Sequence, residues 1–242
     1  MIAAALRAAL GRGEVVSPLE PRGEGPWPEG LRAGVIEARR GYRFRSENLW
    51  LPHLLRGGPP ARRVVDLGAG SGSLLLAACY LLDPTRAVGV EIQEESAARL
   101  GRTLRAHGRR EAAVVRGDLR EPGVLAETRE TLGGPADLAI ANPPFFPAGW
   151  GRPSTHAAVH SATHALSGGV AQFLAAARAL LVPDGQVLLL YEAGRLAEAL
   201  AAAGAQGFAL RRLDLVPDET GAPFRAWCRL DGEGAGIGAL GG

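Results

Sequence analysis

The chain has 242 residues, 47% of them hydrophobic and 21% charged, which suits one well-buried α/β domain and excludes a disordered chain. A formal net charge of +2 gives no overall field that would mark a nucleic-acid or membrane-surface binder. No apolar stretch approaches the ~20 residues of a membrane span, and the opening Met1 to Leu10 is too short for a secretory core and carries Arg7. Cys79 and Cys228 are far apart in apolar segments, so they read as buried free thiols of a reducing compartment. A cytoplasmic protein with no membrane partner is expected.

In chain order, residues 11–30 are rich in Gly, Pro and Glu and read as an irregular arm. The core is expected from about Ala61 to 230. Strands near 62–67, 86–91, 112–116, 136–141 and 185–191 alternate with helices near 72–82, 93–107, 122–132, 163–181 and 193–203. That alternation implies a parallel sheet. Phe208 to Val216 and Phe224 to Leu230 have no helix between them and should form an antiparallel hairpin at the sheet edge. Residues 231–242, dominated by glycine, are expected to fray. The division is therefore an N-terminal extension over 1–60, a core over 61–230 and a short tail.

The first core strand, Arg63-Val64-Val65-Asp66-Leu67, breaks into Gly68-Ala69-Gly70-Ser71-Gly72 before a helix. Strand, glycine turn and helix form the opening unit of a nucleotide-binding fold. The dinucleotide pattern wants Gly or Ala where Ser73 stands, and here the third glycine comes one residue early. Asp66 adds a carboxylate that would repel a pyrophosphate but not a sulfonium-bearing amino acid. The turn therefore favours S-adenosylmethionine (SAM) over NAD. Glu91, closing the next strand, is placed to take both ribose hydroxyls, with Ile92 beside it. Asp118, with Leu119, follows the third strand and could accept the adenine amino group.

Asn142-Pro143-Pro144-Phe145 closes the apolar run Ala136 to Ala141. Two prolines cannot continue a ladder, and proline holds the preceding residue extended, so Asn142 is fixed at a strand tip. The Asn142 side chain and the Pro143 backbone then offer two carbonyl oxygens to a planar –NH2 group, while Phe145 covers the attached ring. Chemistry on an exocyclic nitrogen is expected, with Phe145 or Phe146 stacking on the ring that carries it.

Asp66 to Gly72, Glu91, Asp118 and Asn142 to Phe145 together resemble the motif series of class I SAM-dependent methyltransferases acting on amino groups. Val35 to Phe44, read as a hairpin, Glu47, and the spacing of His164, Leu181, Pro183 and Gly185 resemble the bacterial valine-tRNA adenine-N6 methyltransferase family more particularly. The resemblance implies a Rossmann-like class I methyltransferase fold. Its sheet would be seven-stranded and mostly parallel, with an antiparallel edge hairpin and an N-terminal β-hairpin extension. It also implies methylation of adenine N6 in tRNA, with SAM as cofactor. The catalytic set is then Asn142, Pro143, Pro144 and Phe145. Asp66, Gly68, Ala69, Gly70, Gly72, Glu91, Ile92, Asp118, Leu119 and Asn142 hold the cofactor. Phe145, Phe146, Arg39, Arg40, Arg43 and His164 meet the substrate.

Two departures stand out. Ala165 replaces the acidic residue common after the histidine, and every one of the 27 basic residues is arginine. Arg39, Arg40, Arg43 and Arg45 cluster at the hairpin, where tRNA would be gripped. Arg99, Arg102, Arg105, Arg109 and Arg110 read as a solvated helix face. His156, His160 and His164 share a helical spacing, but Pro153 precedes them and no Cys, Asp or Glu nearby completes a set. They are taken as loop and substrate-rim residues, with no metal site expected. Other amino or amide substrates remain open (an rRNA base, a protein glutamine, a small molecule), as does a non-catalytic SAM-binding RNA module. The assembly is a monomer or a homodimer.

Overall fold

The computed structural model describes residues 1–20, 27–39, 50–55, 60–144 and 169–232. The N-terminal part contributes α1 (Ile2–Ala8), β1 (Glu14–Ser17), α2 (Glu29–Arg32), β2 (Val35–Ala38) and α3 (Leu51–Leu55). The core follows as β3 (Arg63–Leu67), α4 (Ser73–Leu82), β4 (Arg86–Glu91), α5 (Glu94–Ala106), β5 (Ala112–Arg116), α6 (Pro122–Leu132), β6 (Ala136–Ala141), α7 (Val170–Leu180), β7 (Leu181–Glu192), α8 (Leu196–Ala205), β8 (Phe208–Pro217) and β9 (Pro223–Gly232).

One seven-stranded sheet runs in the order β5-β4-β3-β6-β7-β9-β8, parallel from β5 through β7 and antiparallel at β9 and β8. The parallel sheet expected from the alternating pattern and the Rossmann-like fold implied by the resemblance are both observed. Central strands are covered on both faces, which is why Val64, Val65, Leu67, Ala139 and Ile140 form near-continuous apolar runs with no exposure. Helix ends follow their residues: Pro122 opens α6, and Gly133, at φ 70°, caps it in the left-handed conformation. Cys79 and Cys228 are fully buried free thiols, and burial pushes each up to about 12. Among the described residues no helix is long and apolar enough to cross a membrane.

Two details differ from the sequence reading. Residues 14–17, placed in an irregular arm, form β1, which pairs antiparallel with β2 from Glu14↔Ala38 to Ser17↔Val35. Val15 and Val16 supply the β-branched residues, but their partner lies beyond the reach of a local pattern. The expected hairpin strand beginning at Val35 is present as β2; residues 40–44 lie outside the described residues. Strand β7 also begins at Leu181 rather than 185, with a register shift against β6 between Ala136 and Leu138. Pro183 lacks an N–H for the ladder there, and an irregularity lets the strand continue past it.

Candidate active site

Strand order reverses between β3 and β6, whose successors lie on opposite sides. A crevice at the carboxyl ends of the strands is expected at such a point. Leu67 pairs with Ala141 and with Val90. Gly68 and Asn142 are therefore the next residues off β3 and β6, level with Glu91 at the end of β4. The glycine turn, the Asn-Pro-Pro platform and the acid of β4 converge for that reason.

The turn itself needs its glycines. Gly68, Gly70 and Gly72 have φ of 72°, 56° and 86°, and a Cβ on Gly72 would lie 2.1 Å from Leu100 Cδ1. The Gly68 and Ala69 N–H groups donate to Val90 O at 2.9 Å, tying the turn to β4. Asp66 is 1% exposed; its Oδ2 accepts the Leu75 N–H at 3.0 Å, while its Oδ1 is buried with no partner. Burial pushes the Asp66 carboxyl up to about 7, opposed by the Leu75 N–H and assisted by the charge of Glu91. An orphaned carboxylate oxygen in a buried pocket fits a ligand with a cationic end.

Glu91 Oε2 accepts the Gly70 N–H and Oε1 the Gln93 N–H, each at 2.8 Å. Each oxygen keeps a second lone pair, so the carboxylate is aimed and still able to accept a vicinal diol. Burial raises its pKa, against the lowering by those N–H groups and by Arg99.

The other expected residues divide. Asn142 is half-buried at the tip of β6, with Pro143 buried and Pro144 half-buried behind it. Ile92 is 39% exposed beside Glu91, and Leu119 packs into the hydrophobic core. Asp118 reaches the same sheet end, but Arg120 holds both its oxygens through Nε, Nη2 and the backbone N–H. That pairing draws the Asp118 pKa below the usual carboxylate range. The carboxylate expected to meet adenine is thus already engaged. Arg39 is exposed just beyond β2. Phe145, Phe146, Arg40, Arg43, Glu47, His156, His160 and His164 lie outside the described residues. Among the described residues no group of His, Cys, Asp and Glu forms a metal cluster.

Of the arginines expected to form a solvated face, Arg105 and Arg110 are exposed, but Arg99, Arg102 and Arg109 are not. Arg102 pairs with Glu14 of β1 at 2.5 Å, and Arg99 lies 3.9 Å from the same carboxylate and 3.6 Å from Glu95. Arg109 sits 3.7 Å over the Tyr80 ring and pairs with Glu111. These cations dock the N-terminal sheet and the helix end. Residues not anticipated from sequence are Glu37 and Ser71, joined by a hydrogen bond of 3.2 Å. An acid set among Val35, Ile36 and Ala38 in an otherwise apolar strand was the available signal.

A family model for the methyltransferase small domain matches residues 46–201, well over half of the chain. The chain belongs to that family. The fold is that of the class I SAM-dependent methyltransferases, and the glycine turn with its two acids is where such a cofactor fits. A 4-amino-L-phenylalanine/4-methylamino-L-phenylalanine methyltransferase of Streptomyces pristinaespiralis is 30% identical over 163 residues, covering 65% of this chain and 53% of that protein. A release factor glutamine methyltransferase of Geobacter sulfurreducens is 36% identical over 93 residues, covering 38% and 30% respectively. The chain therefore spans about half of the first relative's length and about a third of the second's. Among solved structures, TrmN from Thermus thermophilus is 26% identical with a TM-score of 0.52, covering 76% of this chain and 48% of that one.

Proposed function

We propose that this methyltransferase transfers a methyl group to an exocyclic amino nitrogen, namely N6 of an adenine in tRNA. The observation that carries the reading is the register of β3 against β6, which sets the Asn142-Pro143-Pro144 platform beside Gly68 of the turn. An acceptor for an –NH2 group and a binding turn for the methyl donor then share one crevice.

SAM supplies an electrophilic methyl group on a sulfonium. The chain's own residues do the rest. Asp66 Oδ1 receives the cationic end of the donor and Glu91 the ribose hydroxyls. Asn142 and the Pro143 carbonyl accept the two protons of the substrate amino group. Adenine's amino lone pair is delocalised into the ring, and two acceptors favour its pyramidalisation and stabilise the developing positive charge. The remainder is alignment of nitrogen, methyl and sulfur. The product ammonium can lose its proton to water, so no general base is required of the chain.

The tRNA part of the reading is supported by Arg39 at the exit of β2, leading to the further arginines 40, 43 and 45. The resemblance of Val35 to Phe44 to the valine-tRNA family and the similarity to TrmN point the same way. A second reading is favoured by one comparison. The Streptomyces relative acts on an amino group of an amino acid, as its two named substrates state, so a small aryl amine is the competing acceptor.

One experiment separates them. Purified protein is incubated with methyl-tritiated SAM and, in parallel, total tRNA, rRNA, protein extract and 4-aminophenylalanine. Nucleoside analysis follows on any labelled RNA. Label in N6-methyladenosine from tRNA is the expected result; label only in the amino acid would replace tRNA by a small molecule.

A further inference from the structure

Six large hydrophobic side chains are exposed among the described residues, and four of them belong to the terminal hairpin: Leu210, Leu213 and Leu215 of β8 and Phe224 of β9. The three leucines share a face. They pair with Leu230, Cys228 and Ala226, which are alternate residues of β9. Leu210 and Leu213 are three apart and would point to opposite faces of a regular strand. The register shift between Leu210 and Arg212 inserts Arg211 as an extra residue and turns both leucines the same way. β8 is also the last strand of the sheet, and among the described residues no strand pairs with its outer edge. An apolar face and an open ladder therefore coincide on one strand, the condition under which edges pair with another chain.

The charges of β8 select what can lie there. Arg212 and Asp214 occupy the face opposite the leucines, opposite Arg229 and Trp227 of β9, and join each other at 2.7 Å. A second β8, related by a two-fold axis normal to the sheet, pairs antiparallel. Residues directly opposite each other then share a face, so each such register is centred on one residue. Centred on Arg212, it sets two guanidinium groups against each other; centred on Asp214, two carboxylates. Both are unfavourable. Centred on Leu213, it sets Arg212 opposite the partner's Asp214 and Asp214 opposite the partner's Arg212. On the other face Leu213 meets its own copy, and Leu215 lies diagonal to it, within reach of a long side chain. The strand is thus complementary to itself in one register and repelled by itself in the two neighbouring ones.

We propose that the β8 edge takes a second copy of this chain. The homodimer joins two seven-stranded sheets into one through antiparallel β8 strands centred on Leu213. The interface is isologous, as a two-fold axis requires. Removal of the leucines from water drives association, and the Arg212–Asp214 pairs fix the register. The axis turns one subunit end for end relative to the other. The two crevices, each at the carboxyl ends of its own parallel strands, therefore open at opposite ends of the joined sheet, and neither is covered by the contact. Binding at the glycine turn is independent of assembly.

The test is analytical ultracentrifugation of the full chain from about 1 to about 100 μM, with melting temperatures alongside. The wild type should reach twice the mass of the chain within that range. Leu213→Arg sets two like charges on the axis, and Asp214→Arg sets guanidinium against guanidinium across it. Each should give a folded monomer throughout. Arg212→Asp combined with Asp214→Arg exchanges the two charges, keeps the pair within the chain and restores complementarity across the axis. That double variant should be a dimer again. A monomeric wild type would overturn the proposal. So would a dimer that survives both single variants, or a double variant that is no more dimeric than Asp214→Arg. Should a single variant fail to melt cooperatively, the double variant decides alone: a dimer upholds the register and a monomer overturns it.

Discussion

Asp66 makes methyl-donor affinity depend on pH in a way that follows from its burial. The carboxyl is pushed up to about 7, chiefly by desolvation. A group with that pKa is ionised in about one molecule in eleven at pH 6 and about three in four at pH 7.5. Only the ionised form presents Oδ1 as an acceptor for a cationic ammonium. The α-amino group of the donor in turn loses its proton near ~8. The product of the two fractions is about six times larger at pH 7.5 than at pH 6, and declines again at higher pH. Calorimetry with SAM at constant ionic strength should therefore give a bell-shaped affinity profile, and Asp66→Asn should lose its acid limb. A flat wild-type profile between pH 6 and 7.5, or an unchanged acid limb in Asp66→Asn, would refute the assignment.

The same shift has the opposite sign for stability. The unfolded aspartate ionises near ~4, so between there and about 7 the folded, ligand-free protein holds a proton that the unfolded chain has lost. Its contribution is fully present below the unfolded pKa and is lost as pH rises through the folded one. The melting temperature of the ligand-free protein should fall from pH 5.5 to pH 8 on this account, and Asp66→Asn should reduce that fall.

The remaining predictions concern the turn, the platform and the substrate edge. Asn142→Ala should lower kcat by about a hundredfold or more with SAM affinity nearly preserved, and near-normal turnover in single-turnover assays would remove the amino-acceptor role. Glu91→Ala deletes an aimed acceptor and should weaken SAM binding by more than about tenfold, measurable by calorimetry. Replacing Arg39, Arg40 and Arg43 together should raise the tRNA KM and flatten its dependence on salt while SAM affinity stays put; unchanged kinetics across salt concentrations would reduce them to a solvated turn. Gly72→Ala forces a left-handed φ and a contact with Leu100 on a buried turn, and should destabilise by about 1–3 kcal/mol in a denaturant titration.

Several features were legible in the sequence because they are written in neighbouring residues. The apolar run from Arg63 to Leu67, broken by three glycines, could only be a buried strand entering a tight turn. The observed strand and turn coincide with that reading. The same holds for β6 and its halt at Asn142, since a proline forbids the next ladder bond wherever the strand lies in the sheet. Asp66 and Glu91 were named from their places before the glycine turn and at the end of the next strand, and both acids do reach that turn.

Which way those side chains are occupied was decided only in three dimensions. Arg120 claims Asp118 through a turn conformation that periodicity does not encode. β1 was hidden in a Gly- and Pro-rich stretch because a four-residue strand has no pattern of its own and is defined by its partner, β2. Arg99 and Arg102 looked solvated because Glu14 lies 88 residues from Arg102 in sequence, and Glu37 meets Ser71 across 34. Local propensity acts over the next few residues, whereas these contacts form only when the N-terminal sheet docks on α5. The strand ends and the turn were therefore readable from the chain, and the contacts that the N-terminal sheet makes with them were set by packing.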